Sequence, residues 1–144
     1  METAVSKWGI NVNDEDHLVW GNQDTIELAK LFGTPLHIVD KSILIENYHS
    51  FLKHFSDLYP ELVEIMYSYK TNPVPGVLRV LHDEGAGAEV ISTVEFRMAM
   101  ENKVPGQKII LNGPCKKPQD LKAAIESGVK IIFSDSISEI EKIV

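Results

Sequence analysis

The sequence has few of the residues on which several classes of protein depend. It holds one cysteine, Cys115, so neither an intrachain disulfide nor a zinc site built from thiolates can form. Lysine and arginine number 14 against 21 aspartate and glutamate residues, and the absence of a basic cluster argues against a nucleic-acid-binding surface. The five histidines show no metal-ligand spacing, and no apolar run reaches the length of a membrane span. We therefore expect a cytoplasmic protein with no metal, membrane or nucleic-acid partner.

What the chain does contain is a repeating α/β pattern. Apolar runs predict strands centred at Ile65, Val90, Ile110 and Ile132. Each is followed by a predicted helix, at residues 78–84, 94–101, 119–127 and from Ile137 onward. Each strand with its helix occupies roughly 20 to 25 residues, which leaves room for one strand and one helix and makes the strands parallel. An earlier strand at Leu36–Val39, followed by a long amphipathic helix, brings the predicted number of β/α units to five.

Two architectures fit such a repeat: an open doubly wound sheet, or the beginning of a (β/α)8 barrel. A complete barrel needs roughly 250 residues, so 144 residues would hold little more than half of one. The last predicted helix stops at Val144 without a cap, which favours a truncated barrel. We predict an irregular segment at residues 1–23 and a partial β/α barrel over residues 24–144.

Lys70 is the residue around which the predicted site is built. The apolar run 62–67 predicts a strand before it, and Pro73 and Pro75 prevent that strand from continuing after it. Lys70 is therefore expected at the carboxyl end of a buried strand, where parallel α/β proteins carry their chemistry. A partly desolvated lysine can lose its proton and attack a carbonyl to form an imine. The alternative is a lysine whose amine only reaches water as its strand ends.

Three glutamates near the strand ends have different expected roles. Glu89 lies in a predicted strand, where a buried carboxylate needs a partner, and the lysine on the adjacent strand is the predicted one. Glu95 and Glu139 each follow a serine by three residues at the start of a predicted helix. That spacing is typical of a capping box, so we interpret both as structural.

Several segments together resemble the fold-type III amino-acid decarboxylases that use pyridoxal phosphate. This family includes the diaminopimelate, ornithine and arginine decarboxylases, with alanine racemase as a structural cousin. The segment around Lys70 resembles the cofactor-attachment segment of the family. The resemblance extends in order over residues 24–144 and rests on segments 28–36, 67–72, 87–95, 109–116 and 128–136.

The resemblance implies a fold, a cofactor and two site residues. The fold is an alanine-racemase-like (β/α)8 barrel, here in part, and the cofactor is pyridoxal 5'-phosphate. In the family the lysine of this segment forms an imine with the cofactor, which implies that role for Lys70. An acid in the next strand, usually aspartate, lies near the cofactor, which implies a cofactor-binding role for Glu89. The family's later strands and a partner subunit complete the site, so activity is expected of a full-length homodimer rather than of these 144 residues alone.

The predicted function is decarboxylation of an amino acid, a lyase reaction of amino-acid metabolism. Two alternatives remain open at this point: an amino-acid racemase with the same cofactor, and an inactive family member that acts as a binding or regulatory protein.

Overall fold

The structure, a computed structural model, describes residues 9–144. The chain divides into two compact units, one ending at Ser42 and the other running from Ile43 to Val144. Helix α2 (Lys41–Ser56) begins two residues before this division. The division falls later in the chain than the predicted start of the barrel domain at residue 24. Of the predicted irregular segment, residues 1–8 lie outside the described residues.

The first unit contains a small antiparallel sheet that the sequence did not predict. Its strands are β1 (Ile10–Val12), β2 (Leu18–Trp20) and β3 (Gln23–Asp24), paired in the order β1-β2-β3. The prediction of irregular structure is wrong here because strands of two or three residues are too short to show a periodic pattern. Helix α1 (Thr25–Phe32) follows; the Asp24 carboxylate caps its start, and it ends at Gly33.

The second unit is a parallel sheet whose strands alternate with helices. Its strands are β4 (Met66–Ser68), β5 (Gly87–Val90), β6 (Ile109–Leu111) and β7 (Ile131–Ile132), and they pair in chain order. The helices between and after them are α3 (Pro75–Asp83), α4 (Thr93–Glu101), α5 (Pro118–Glu126) and α6 (Ile137–Ile143). The predicted β/α alternation is confirmed, although β4 begins later than the apolar run 62–67. No helix within residues 9–144 is both long and apolar enough to cross a membrane.

The strand predicted at Leu36–Val39 is wrong. Residues 36–39 form no strand, and the parallel sheet has four strands rather than five. A strand exists only where a neighbouring backbone accepts and donates its hydrogen bonds. An apolar run shows that a segment can be buried but does not show that such a neighbour is present.

The two faces of the parallel sheet differ in chemistry because side chains alternate along each strand. The face covered by helices carries almost fully buried side chains, among them Tyr69, Ala88, Val90, Ile109 and Leu111. The opposite face carries half-buried side chains in register, with Ser68 beside Glu89 and Glu89 beside Ile110. Polar groups therefore collect on one face of the sheet, toward its carboxyl end.

Candidate active site

Lys70 lies just beyond the carboxyl end of β4. The strand ends at Ser68, and a tight turn follows in which the Thr71 N–H donates to the Ser68 carbonyl oxygen at 3.1 Å. Lys70 occupies this turn and is exposed. The sequence therefore predicted its location at the strand end correctly. Its amine makes no hydrogen bond or ion pair with any residue of the described range 9–144.

Glu89 has different partners from the lysine that the sequence predicted. The Ser68 hydroxyl donates to Oε2 of Glu89, and the Asn112 side-chain amide donates to Oε1 at 3.0 Å. These donors come from the strand on one side and from the end of the strand on the other. The predicted pairing of Glu89 with a lysine is wrong in this structure, because two neutral donors already satisfy the carboxylate. Both donors lie about one β/α unit away from Glu89 in the sequence. Because they are uncharged, the search for a charged partner could not identify them.

Asn112 is held in place by its own backbone. Its N–H donates to the Val90 carbonyl oxygen at 2.8 Å, which continues the pairing of β5 and β6 past the last residue of β6. Gly113 then adopts a φ of +86°, and a Cβ at that position would lie 2.6 Å from the Ile91 carbonyl oxygen. Only glycine allows this close approach without strain. The turn therefore fixes the position from which the Asn112 amide reaches Glu89.

Tyr69 anchors the residue before Lys70 on the other face of the sheet. Its side chain is fully buried, and its Oη lies 2.7 Å from Nε2 of His82. Nδ1 of His82 lies 2.8 Å from the Ala86 carbonyl oxygen, which can only accept, so Nδ1 carries a hydrogen. Burial, with a smaller effect of the Glu95 charge, raises the pKa of Tyr69 to about 12. The hydroxyl therefore stays protonated and ties this turn to α3.

Glu95 has the predicted capping role at the start of α4. The Ser92 hydroxyl accepts the Glu95 N–H at 3.2 Å, as in a capping box. The Glu95 carboxylate in turn accepts the N–H of Ile91 at 2.8 Å, one residue before the position that a capping box uses.

Glu139 has a second role that the sequence did not reveal. The Ser136 hydroxyl accepts its N–H at 3.3 Å, so the predicted cap is present. Its carboxylate, however, forms a buried ion pair with Lys116, with 2.8 Å between Nζ and Oε2. It also accepts the backbone N–H groups of Lys116 at 3.0 Å and of Asp135 at 2.9 Å. The Lys116 ammonium, followed by these N–H groups, lowers the pKa of Glu139 to about 2. The pair joins the loop after β6 to the beginning of α6.

A small cavity separates the loops that follow β5 and β6. Its volume is about 170 Å³, and its lining includes Ser92 and Thr93 on one side and Pro114 and Cys115 on the other. The Thr93 hydroxyl donates to the Asp120 carboxylate at 2.7 Å and links the two helix starts. The cavity lies at the carboxyl edge of the sheet, between these loops and the starts of α4 and α5, and Ser68, Glu89 and Asn112 are not among its lining residues.

The residues at this edge fit a cofactor that bears an aldehyde, such as pyridoxal phosphate. Lys70 offers a primary amine in an exposed turn, with no partner among the described residues that would have to be displaced. The clamped carboxylate of Glu89 offers an acceptor for a polar hydrogen. The chemistry of these groups fits covalent attachment at Lys70 and a hydrogen bond that Glu89 accepts.

The parallel strands alternating with helices, with a lysine just beyond the end of one strand, have the architecture of part of a β/α barrel. Residues 41–144 match the model of a family described as pyridoxal-dependent decarboxylase, pyridoxal binding domain. The chain belongs to this family, and the predicted relationship to the fold-type III decarboxylases is confirmed. Its parallel β/α units are part of the (β/α)8 barrel of that fold, as predicted.

Individual relatives agree with this assignment. The chain is 34% identical over 122 residues to diaminopimelate decarboxylase of Methanothermobacter thermautotrophicus, a match that covers 85% of this chain and 28% of that protein. It is 35% identical over 120 residues to the enzyme of the same name from Methanocaldococcus jannaschii, covering 81% of this chain and 27% of the relative. The chain thus spans less than a third of the length of these relatives.

Solved structures give the same result for the fold. Diaminopimelate decarboxylase from M. jannaschii superposes with a TM-score of 0.83 at 31% identity, covering 94% of this chain and 32% of that one. The same enzyme in co-complex with L-lysine also gives a TM-score of 0.83 at 31% identity, covering 93% and 31% of the two chains. A protein from Aquifex aeolicus gives a TM-score of 0.87 at 26% identity, covering 96% and 34%.

Proposed function

We propose that this chain is the cofactor-attaching part of a pyridoxal-phosphate-dependent amino-acid decarboxylase. The observation that carries the proposal is the exposed amine of Lys70, which has no partner among residues 9–144 and lies at a strand end inside a domain of the pyridoxal-binding family. A diamino acid is the proposed substrate, because the relatives described above are diaminopimelate decarboxylases and one was solved with L-lysine. A cytoplasmic homodimer, as the resemblance implies, is part of the same proposal.

Each residue of the site has a distinct task in this proposal. When bound, the cofactor supplies an aldehyde for condensation with amines and a conjugated ring that accepts the negative charge left by loss of CO₂. Lys70 supplies the primary amine that holds it. Glu89 accepts a hydrogen bond beside that amine, and Tyr69 fixes the turn that carries Lys70. The helices on the opposite face keep water out of the core beneath the strands.

Labelling of Lys70 tests the proposal. Protein from the complete reading frame is loaded with pyridoxal phosphate and reduced with borohydride, and mass spectrometry locates the modified peptide. We expect the label on Lys70. Lys70→Ala should abolish both the label and CO₂ release from diaminopimelate with little effect on stability, because an exposed side chain contributes little packing.

Lys117 offers a matched control, because it is an exposed lysine in the loop that follows β6. Lys117→Ala should keep both label and activity. A label on any lysine other than Lys70 would contradict the assignment. If the configuration at an α carbon of the substrate inverts without release of CO₂, as read by chiral chromatography, the reaction is racemisation rather than decarboxylation.

A further inference from the structure

The arrangement around Glu89 suggests a function for the residues that hold it. A carboxylate and a lysine at the ends of adjacent strands attract each other, and an ion pair between them would keep the amine protonated. A protonated amine has no lone pair with which to attack a carbonyl. The proposed role of Lys70 therefore requires that Glu89 does not hold the amine in an ion pair.

Both oxygens of Glu89 are engaged by donors that lie on the sheet. Oε2 accepts from the hydroxyl of Ser68, and Oε1 accepts from the amide of Asn112. Ser68 is fixed on the β4 side, since the Tyr69 N–H donates to the Glu89 carbonyl oxygen at 3.0 Å. Asn112 is fixed on the β6 side by its N–H bond to Val90. The carboxylate is thus held from two strands at once.

The nearby ionisable groups are engaged elsewhere. The Glu95 carboxylate accepts the Ile91 N–H, and Tyr69 and His82 bond to each other on the helix-covered face. Among the described residues, Glu89 is therefore the acid that is hydrogen-bonded to the strand end before Lys70, through the Ser68 hydroxyl.

We propose that Ser68 and Asn112 are positioning residues that hold the Glu89 carboxylate away from an ion pair with Lys70 and so keep the Lys70 amine available for covalent attachment. The inference rests on the proposed function of Lys70 and adds a device that controls its reactivity. Without the Ser68 hydroxyl, Oε2 loses its donor, and the flexible glutamate side chain is free to turn toward the lysine.

The test measures the reactivity of Lys70 in cofactor-free protein from the complete reading frame. Trace labelling with acetic anhydride over a pH series, read by mass spectrometry, gives the midpoint of the titration of each lysine. Ser68→Ala and Asn112→Ala should each raise the Lys70 midpoint. The double variant Ser68→Ala/Asn112→Ala, which lacks both donors, should raise it by about one pH unit. Labelling of Lys70 below the midpoint should then fall by about tenfold. Ser68→Thr, which keeps a hydroxyl, should restore the wild-type midpoint.

Two controls separate positioning from general damage. Glu89→Gln removes the charge that would pair with Lys70. Adding Ser68→Ala to Glu89→Gln should therefore leave the Lys70 midpoint as it is in Glu89→Gln alone. Ser50→Ala, at an exposed position of α2, should leave the Lys70 midpoint unchanged.

Two results would overturn the inference: an unchanged midpoint in both Ser68→Ala and Asn112→Ala, or a rise in Ser68→Ala that persists in the Glu89→Gln background. Neither result depends on whether borohydride labels Lys70, so the inference can fail while the proposed function stands. If borohydride labels another lysine, the proposed function fails whatever the titration shows.

Discussion

Removal of one partner from the buried ion pair of Lys116 and Glu139 should strongly destabilise the second unit. The two residues are 6% and 2% exposed, and the Glu139 carboxylate accepts three hydrogen bonds. Glu139→Gln leaves the Lys116 ammonium buried with neutral acceptors only, such as the Gly113 carbonyl oxygen, and with no opposite charge beside it. An uncompensated buried charge of this kind costs about 3 to 5 kcal/mol. Urea denaturation of the wild type and the variant measures the difference in free energy of unfolding.

An exposed pair in the same unit provides the matched control. Lys122 and Glu126 are 3.8 Å apart with side chains 74% and 66% exposed, so Glu126→Gln should cost about 0.5 kcal/mol or less. The double variant Lys116→Met/Glu139→Gln should recover part of the loss, because it removes the buried charge while the glutamine oxygen can still accept a backbone N–H. If Glu139→Gln costs no more than Glu126→Gln, the pair is not the buried, uncompensated site that the structure describes.

The same pair predicts how stability depends on pH. The pKa of Glu139 falls from an ordinary value of 4.5 to about 2 in the folded protein. A depressed pKa means that the unfolded chain takes up its proton first, so the contribution is complete above about pH 4.5 and is lost as the pH falls toward 2. Glu139→Gln should therefore flatten the decline of stability with acid in that window. An equally steep decline in the variant would assign the acid sensitivity to other carboxylates.

Two further substitutions test how the turn at Lys70 and the turn after Asn112 are held. Tyr69→Phe should lower the free energy of unfolding by about 1 kcal/mol in thermal or urea denaturation, since it removes the hydrogen bond to His82, and an unchanged stability would show that this bond contributes nothing. Gly113→Ala should destabilise by about 1 to 3 kcal/mol, because its φ of +86° and its close approach to Ile91 exclude a Cβ, and a neutral effect would refute that account.

The repeating part of the fold could be predicted from sequence because each β/α unit has a recognisable local pattern of residues. Apolar runs around Val90 and Ile110 lie inside the observed strands, and serine caps mark the beginnings of α4 and α6. The prediction of a strand at residues 36–39 was wrong because a strand needs a hydrogen-bonding neighbour, and hydrophobicity does not identify one. The strands of the first unit were not predicted because two or three residues are too few to show a periodic pattern.

The site was predictable only where it follows from strand ends. Lys70 could be located because a proline-rich stretch ends its strand, and its role came from resemblance rather than from its surroundings. The partners of Glu89 depend on register, which aligns it with Ser68 and places Asn112 within reach. The ion pair of Glu139 was hidden because its helix-capping role already accounted for the residue. When one structural role already explains a residue, the sequence pattern does not indicate that the residue has a second role.

The order of the parallel strands has a consequence for how the site comes together as the chain is made. The strands pair in chain order, so the contacts between Ser68 and Glu89 and between Glu89 and Asn112 span 21 and 23 residues. The ion pair of Lys116 with Glu139 again spans 23. Contacts of such short range close with small entropic cost, and chains fold from the N-terminal side during synthesis. The hydrogen bonds of Glu89 with Ser68 and Asn112 can therefore form during synthesis once Asn112 has emerged from the ribosome, before α6 has emerged.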